Sequence, residues 1–243
     1  ITISLENGMD GFMINSNEMG YKLLSSTSFS EHKEIHYSIP YPHKYANIVN
    51  ENGMMSLFSV VFKNTSILKN TLHGLKLFFS GNLSHLTPMA IDLEIPKNLR
   101  KGSYIYLQNI ITDLLIGMGR EDILIKFIKS VLKLGYKPGL ITLNPILVDK
   151  MLKNYRETDW IHSLILCFNI NSVGFNVFPD LKQVENLIFS ENNYKTMGMS
   201  VFASGSANIN SSIEYINSLG LDYVVFGTSK IKNVISNLDI FKS

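Results

Sequence analysis

The segment Val224–Asn237, VVFGTSKIKNVISN, reads as the end of a buried strand, a tight Gly227-Thr228-Ser229 turn, and a helix that begins at Ser229 and Lys230. A helix that starts on such a turn directs unsatisfied backbone N–H groups, and the positive end of its dipole, at whatever lies above it. Lys230 and two hydroxyls add to that field. A phosphate is the group this turn suits best.

Working upstream, the same strand-then-helix unit recurs. Asn210–Leu219 predicts a helix closed by Gly220, and the strand Met197–Ala203 precedes it. A helix from Asp180 to Ser190 follows the strand Ser163–Ile170 and the loop Asn171–Pro179. The strand Leu140–Leu143 leads into Ile146–Tyr155, a helix opened by Pro145, whose fixed φ suits a first turn. Further back, Ser103–Ile111 is β-rich. Glu121–Leu134 then puts Leu124, Phe127, Ile128, Val131 and Leu132 on one helical stripe, with its lysines elsewhere. The strands are continuous apolar runs, as expected when helices cover a parallel sheet.

The first half is less regular. Gly11–Ile14 and Glu34–Ile39 read as strands and Glu18–Ser26 as a helix, while residues 42–101 form an irregular, mostly helical block. Met89–Ile95 reads as a strand or a short helix, and counting it as a strand gives eight. The expected architecture is therefore one α/β domain over residues 1–243, a (β/α)8 TIM barrel with its first strand missing or altered. A doubly wound sheet produces the same alternation, but no G-x-G-x-x-G follows the first strand.

Composition narrows the function classes. The 22 basic and 20 acidic residues leave a formal charge of +2, which is no footprint for nucleic acid. The single cysteine, Cys167, rules out an internal disulfide framework and a cysteine-based zinc site; its apolar surroundings predict a buried thiol. No apolar run approaches the ~18–20 residues of a membrane span, and no signal peptide is visible, so a soluble cytoplasmic protein is expected. His32 and His36 are four apart but straddle a loop and a strand start, and no metal site is expected from them.

In order, these segments resemble the aldo-keto reductases. GTSKIKNVISN is similar to that family's final βα unit, in which a Gly-turn Lys and an Asn seven residues later hold the phosphate end of a nicotinamide cofactor. Lys230 and Asn237 have that spacing. Glu6–Leu24 (ENGMDGFMINSNEMGYKLL) is similar to the family's second-strand segment. Ser103–Pro145 and Ser200–Ser229 also run in family order. The resemblance implies a barrel fold and NADP or NAD as cofactor. The family's Asp/Tyr/Lys/His tetrad, however, aligns with Met13, Glu18, the neighbourhood of Pro40, and Gln108 or Asn109. Methionine and proline cannot donate a proton, so the family's usual carbonyl reduction is not expected.

Ligand chemistry is expected at the carboxyl ends of the strands. Those ends carry Asn15, Ser38, Asn109, Asn144, Asn169, Ser204 and Ser206, then Thr228, Ser229 and Lys230. Amides and hydroxyls hold ligands well but move protons poorly near neutral pH. Cofactor-binding candidates are Asn144, Ser204, Gly205, Ser206, Gly227, Thr228, Ser229, Lys230 and Asn237. The ordinary alternative for Asn144 and the serines is helix capping. Catalytic candidates are Glu18 as a substitute acid, His43 and Lys44 in the loop after the second strand, Asn109, and Asp113 as a base or a cap.

The leading functional expectation is a divergent aldo-keto reductase-like oxidoreductase, NAD(P)-linked, with a non-standard or vestigial active site and a phosphate-bearing small-molecule ligand. Two rivals share the fold. One is a phosphate-handling lyase, aldolase or isomerase, which needs a Schiff-base lysine or a carboxylate pair. The other is a non-catalytic binding or scaffold barrel.

Overall fold

The computed structural model describes residues 8–25, 34–39, 91, 94–227, 233–235 and 237. Seven strands occur among them: β1 (Gly11–Asn15), β2 (Glu34–Ile39), β3 (Tyr104–Leu107), β4 (Lys137–Thr142), β5 (Ile165–Asn169), β6 (Lys195–Met199) and β7 (Tyr223–Val224). They form one sheet in chain order from β1 to β7. Pairing is parallel, with His36 opposite Tyr104, Ile141 opposite Cys167 and Gly198 opposite Val224.

The expected eight-stranded closed barrel is not what forms. The sheet is open, running from β1 to β7 with no pairing that returns β7 to β1. Closure requires the last strand to bond the first. Of the two readings of Met89–Ile95, the described residues follow the helical one: Ile91 and Glu94 are helical, and the Ile95 N–H, at a bend, donates to the Ile91 carbonyl at 3.1 Å. The segment's alternating apolar residues imitated a strand, but an i to i+4 bond closed the turn instead.

Six α-helices are described from end to end: α1 (Glu18–Ser25), α2 (Asn109–Gly117), α3 (Glu121–Lys133), α4 (Pro145–Leu152), α5 (Leu181–Phe189) and α6 (Ile209–Ser218). Side chains start three of them. Asn144 accepts from Leu147 N–H at 3.4 Å, Asp180 from Gln183 N–H at 2.9 Å, and Asn208 from Ser211 N–H at 3.3 Å. Two strands end earlier than their apolar runs. The Ser103–Ile111 run is β3 only to Leu107, and α2 begins at Asn109. The Met197–Ala203 run leaves the sheet at Met199 and turns over itself.

The chain divides into two compact units. One comprises Ile1–Phe12, Asn109–Ile116 and Gly139–Ser243, the other Met13–Gln108 and Gly117–Pro138. In the first, α4 packs on α5 and on β5, burying Val148, Met151, Leu166, Phe168 and Val184. Cys167 is fully buried there, which pushes its thiol pKa well up and leaves an inert packing group, as expected. Trp160 packs beside Tyr155, ring centroids 5.8 Å apart. In the second unit the stripe of α3 is buried through Leu124, Phe127, Ile128 and Val131, as the sequence predicts. Among the described residues no helix is long and apolar enough to cross a membrane.

The turn from β1 into α1 depends on Gly20. A Cβ there would lie 2.2 Å from the Asn15 carbonyl oxygen and 2.8 Å from Ile14 Cγ2. Gly20→Ala should therefore destabilise the fold by about 2 kcal/mol or more. Gly117→Ala, at the open end of α2, should instead stabilise it by up to ~1 kcal/mol. Urea unfolding of the two variants checks both signs.

Candidate functional site

In the first unit the polar carboxyl ends of the strands are stitched to one another. Asp113, in the second turn of α2, accepts from Thr142 Oγ1 at 2.5 Å and from Leu143 N–H at 3.0 Å. Both carboxylate oxygens thus brace the end of β4. Thr142 Oγ1 in turn accepts from Asn144 N–H at 2.9 Å. Asn144 is the N-cap of α4, and Asn109 stands at the first position of α2. Asp113 and Asn144 thus meet through Thr142, while Asn109 is placed by the start of α2.

The loops after β5 and β6 form the most constrained part of this unit. Asn169 Nδ2 donates to the Asn176 carbonyl at 2.9 Å, and its Oδ1 accepts from Ser200 Oγ at 2.8 Å. Asn171, fully buried, donates to the carbonyls of Phe175 (2.9 Å) and Ser200 (3.4 Å) while accepting from Phe175 N–H at 2.8 Å. Four non-glycine residues among those described have left-handed backbones: Asn176 (φ 54°), Ser200 (59°), Ala203 (47°) and Ser204 (56°). All four lie in these two loops. Side chains other than Asn and Asp pay for this conformation.

Ser204, Gly205 and Ser206 are exposed just past β6. Much of the loop's donor capacity closes the loop itself. The N–H groups of Ala203, Gly205 and Ser206 donate to the carbonyls of Ser200, Phe202 and Ala203, and the Ser206 hydroxyl donates to the Ala203 carbonyl at 2.6 Å. Gly227 is exposed beyond β7, and Phe226 meets Phe202 edge-on at 5.7 Å. Asn237 is buried at 3% exposure, and its Oδ1 has no hydrogen-bond partner. Thr228, Ser229 and Lys230 lie outside the described residues, as do His43 and Lys44.

The second unit has its own polar cluster at the carboxyl ends of β1 to β3. Gln108 Nε2 donates to Asn15 Oδ1 at 3.1 Å and to Ser38 Oγ, and Ser38 Oγ donates to Asn15 Oδ1 at 3.2 Å. Gln108, one of the two residues that the resemblance sets at the tetrad's histidine position, is thus an amide tied to amide and hydroxyl neighbours. Glu18, at the aligned tyrosine position, is exposed on α1. Its carboxylate takes a bond from Lys22 Nζ at 2.8 Å, which holds it below the usual carboxylate range. An acid held ionised on the surface is a poor proton donor.

Sequence reasoning passed over a further cluster beneath this one. His36 is 4% exposed; its Nδ1 lies 2.9 Å from the Tyr106 hydroxyl and its Nε2 3.3 Å from Glu34 Oε2. The imidazole stacks on Tyr104 at 4.8 Å and 7°, and Lys137 Nζ sits 5.0 Å from the centre of that same ring. The only signal was alternation: HYSI places His36 and Ser38 on one face of β2, and YIYL places Tyr104 and Tyr106 on one face of β3. Register brings the two faces together, and register is not written in either segment alone.

The chain matches no protein-family model and no curated protein sequence, so a functional reading rests on this geometry.

Burial lowers the pKa of His36, opposed by Glu34 and aided by the positive charge of Lys137. The unfolded chain, with an ordinary histidine near 6.5, then binds more protons than the folded one below that pH. His36 should thus contribute its full stability above about pH 6.5 and lose it as the pH falls through the lowered folded value. Urea midpoints at about pH 7.5 and about pH 5 should drop further for the wild type than for His36→Gln. Separately, Asn171→Ala should cost about 2–4 kcal/mol in the same assay, because it strands buried backbone groups of two loops.

Proposed function

We propose that this chain binds a phosphate-bearing small molecule at the carboxyl ends of β5 to β7, with NADP or NAD the leading candidate. In this reading it is a divergent aldo-keto reductase-like oxidoreductase whose acid–base set is non-standard or vestigial. The observation that carries the proposal is the concentration of left-handed non-glycine residues in the loops after β5 and β6, three of them within Ser200–Ser204. Strain of this kind costs of order 1–3 kcal/mol per residue, and it clusters where a site needs a particular backbone shape. Ligands of open parallel sheets sit at this edge.

Two further features support the reading. The buried, unpartnered carbonyl of Asn237 is an acceptor in want of a donor, and leaving it so costs about 1–3 kcal/mol. An amino group on a bound nucleobase would supply that donor. The Gly227–Lys230 turn, read from the sequence, adds a cation and N–H groups suited to phosphate. A purely ligand-holding role is favoured by one observation: Asp113, the carboxylate best placed as a base in this unit, has both oxygens committed to the end of β4.

Fluorescence titration with NADPH and NADH tests the proposal. Saturable binding is expected, weakened about tenfold or more by Lys230→Ala. Ser204→Ala should weaken binding with little change in stability. Ser206→Ala, whose hydroxyl closes the loop, should mainly lower the melting temperature. No binding of either nucleotide sinks the nicotinamide assignment, and saturation by phosphorylated sugars alone would favour the lyase or isomerase reading.

A further inference from the structure

We propose that an uncharged apolar face, built by α2 and the loops after β4 and β5, is where a second copy of this chain docks to give a twofold dimer. Its residues all belong to the first unit, and its role is independent of any ligand held at β5 to β7.

Helix α2 is turned inside out. Five of the nine residues of Asn109–Gly117 are isoleucine or leucine, yet the buried residue of the helix is Thr112. Ile110 and Leu114, one turn apart and so on one side of the helix, are each more than half exposed. A helix this apolar is ordinarily stabilised by turning such a stripe to a core, as α3 does. Here the stripe faces outward. The bond from Leu143 N–H to Asp113 seats α2 against the end of β4, where Leu143 and Leu147 are exposed. Thr142 pairs with Phe168, so the end of β5 adjoins it, and the loop beyond adds Val173, Phe175 and Phe178. Asn171 bonds both the N–H and the carbonyl of Phe175, which fixes the backbone under these side chains.

Area and charge together identify the occupant. The seven side chains are between 43% and 57% exposed. At roughly 150 Å² for a whole large apolar side chain, they offer roughly 500 Å². Homodimer interfaces are about 65% apolar, so this is the apolar part of about 800 Å², the share each partner gives to a standard stable interface. Charge points the same way. Residues 109–117, 143–147 and 171–178 include one ionisable side chain, Asp113, and both of its oxygens brace β4. A charged partner or an anionic membrane meets no opposite charge on this face. A second copy, related by a twofold axis, brings no like charges together, so the face complements itself.

Sedimentation velocity of the full chain tests this. A species of twice the chain mass is expected, with a dissociation constant of roughly micromolar or tighter. Leu114→Glu should weaken dimerisation at least about 10²-fold. The monomer's melting temperature should hold, because Leu114 is exposed there. Phe189→Glu, at the exposed carboxyl end of α5, should change neither. Should Leu114→Glu fail to fold, cross-linking decides the matter. Cys167 is buried, so Ile110→Cys supplies the accessible thiol, and a bismaleimide should join two copies through it. A chain that stays monomeric at about 100 μM overturns the proposal. So does a dimer that Leu114→Glu leaves intact, a failure to cross-link, or a monomer that pellets with phosphatidylcholine vesicles.

Discussion

Parallel pairing is the constraint from which the rest follows. Because β4 to β7 all run the same way, their carboxyl ends, and the loops that leave them, share one edge of the first unit. In the second unit β2 and β3 do the same. Backbone groups beyond the last ladder bond of each strand must find new partners at that edge. Here polar side chains supply them: Asn169 and Asn171 between the loops after β5 and β6, and Thr142 and Asp113 after β4. The same bonds that satisfy the backbone set the shape of the edge.

An edge built this way has a distinct chemical character. Its groups donate and accept without changing charge, so they can orient a ligand in detail while doing little acid–base work. The titratable groups are otherwise engaged. Glu18 points to solvent, Asp113 is spent on architecture, and His36 with Tyr106 lies inside the unit, behind Ser38 and Gln108.

What could be read in the chain beforehand divides along a physical line. Local grammar was legible: the α3 stripe, Pro145 at the first turn of α4, and the buried run of β5 around Cys167 all follow from one segment at a time. Strand ends were not. The apolar residues after Leu107 and Met199 serve a helix in one case and a left-handed turn in the other, and hydropathy does not separate them from a strand. Met89–Ile95 misled for the same reason: alternation over a few residues cannot exclude a helical turn, as Ile91 and Ile95 show. The barrel expectation failed because seven strands form an open sheet.

The site shows the same division with higher stakes. Capping by Asn144 was foreseeable because Asn-Pro at a helix start carries its own local reason. The bond from His36 to Tyr106 was not, since it joins residues 70 apart and depends on Tyr104 falling opposite His36. A shift of the register by one residue would send His36 to the opposite face from Tyr106, and neither HYSI nor YIYL would look different. Long-range register can therefore bring titratable side chains together from residues that carry no motif, and alignment to the tetrad positions of a family would pass over them. In this chain catalytic groups were sought at Glu18, His43, Lys44, Asn109 and Asp113, while a buried imidazole and phenol stand together on β2 and β3.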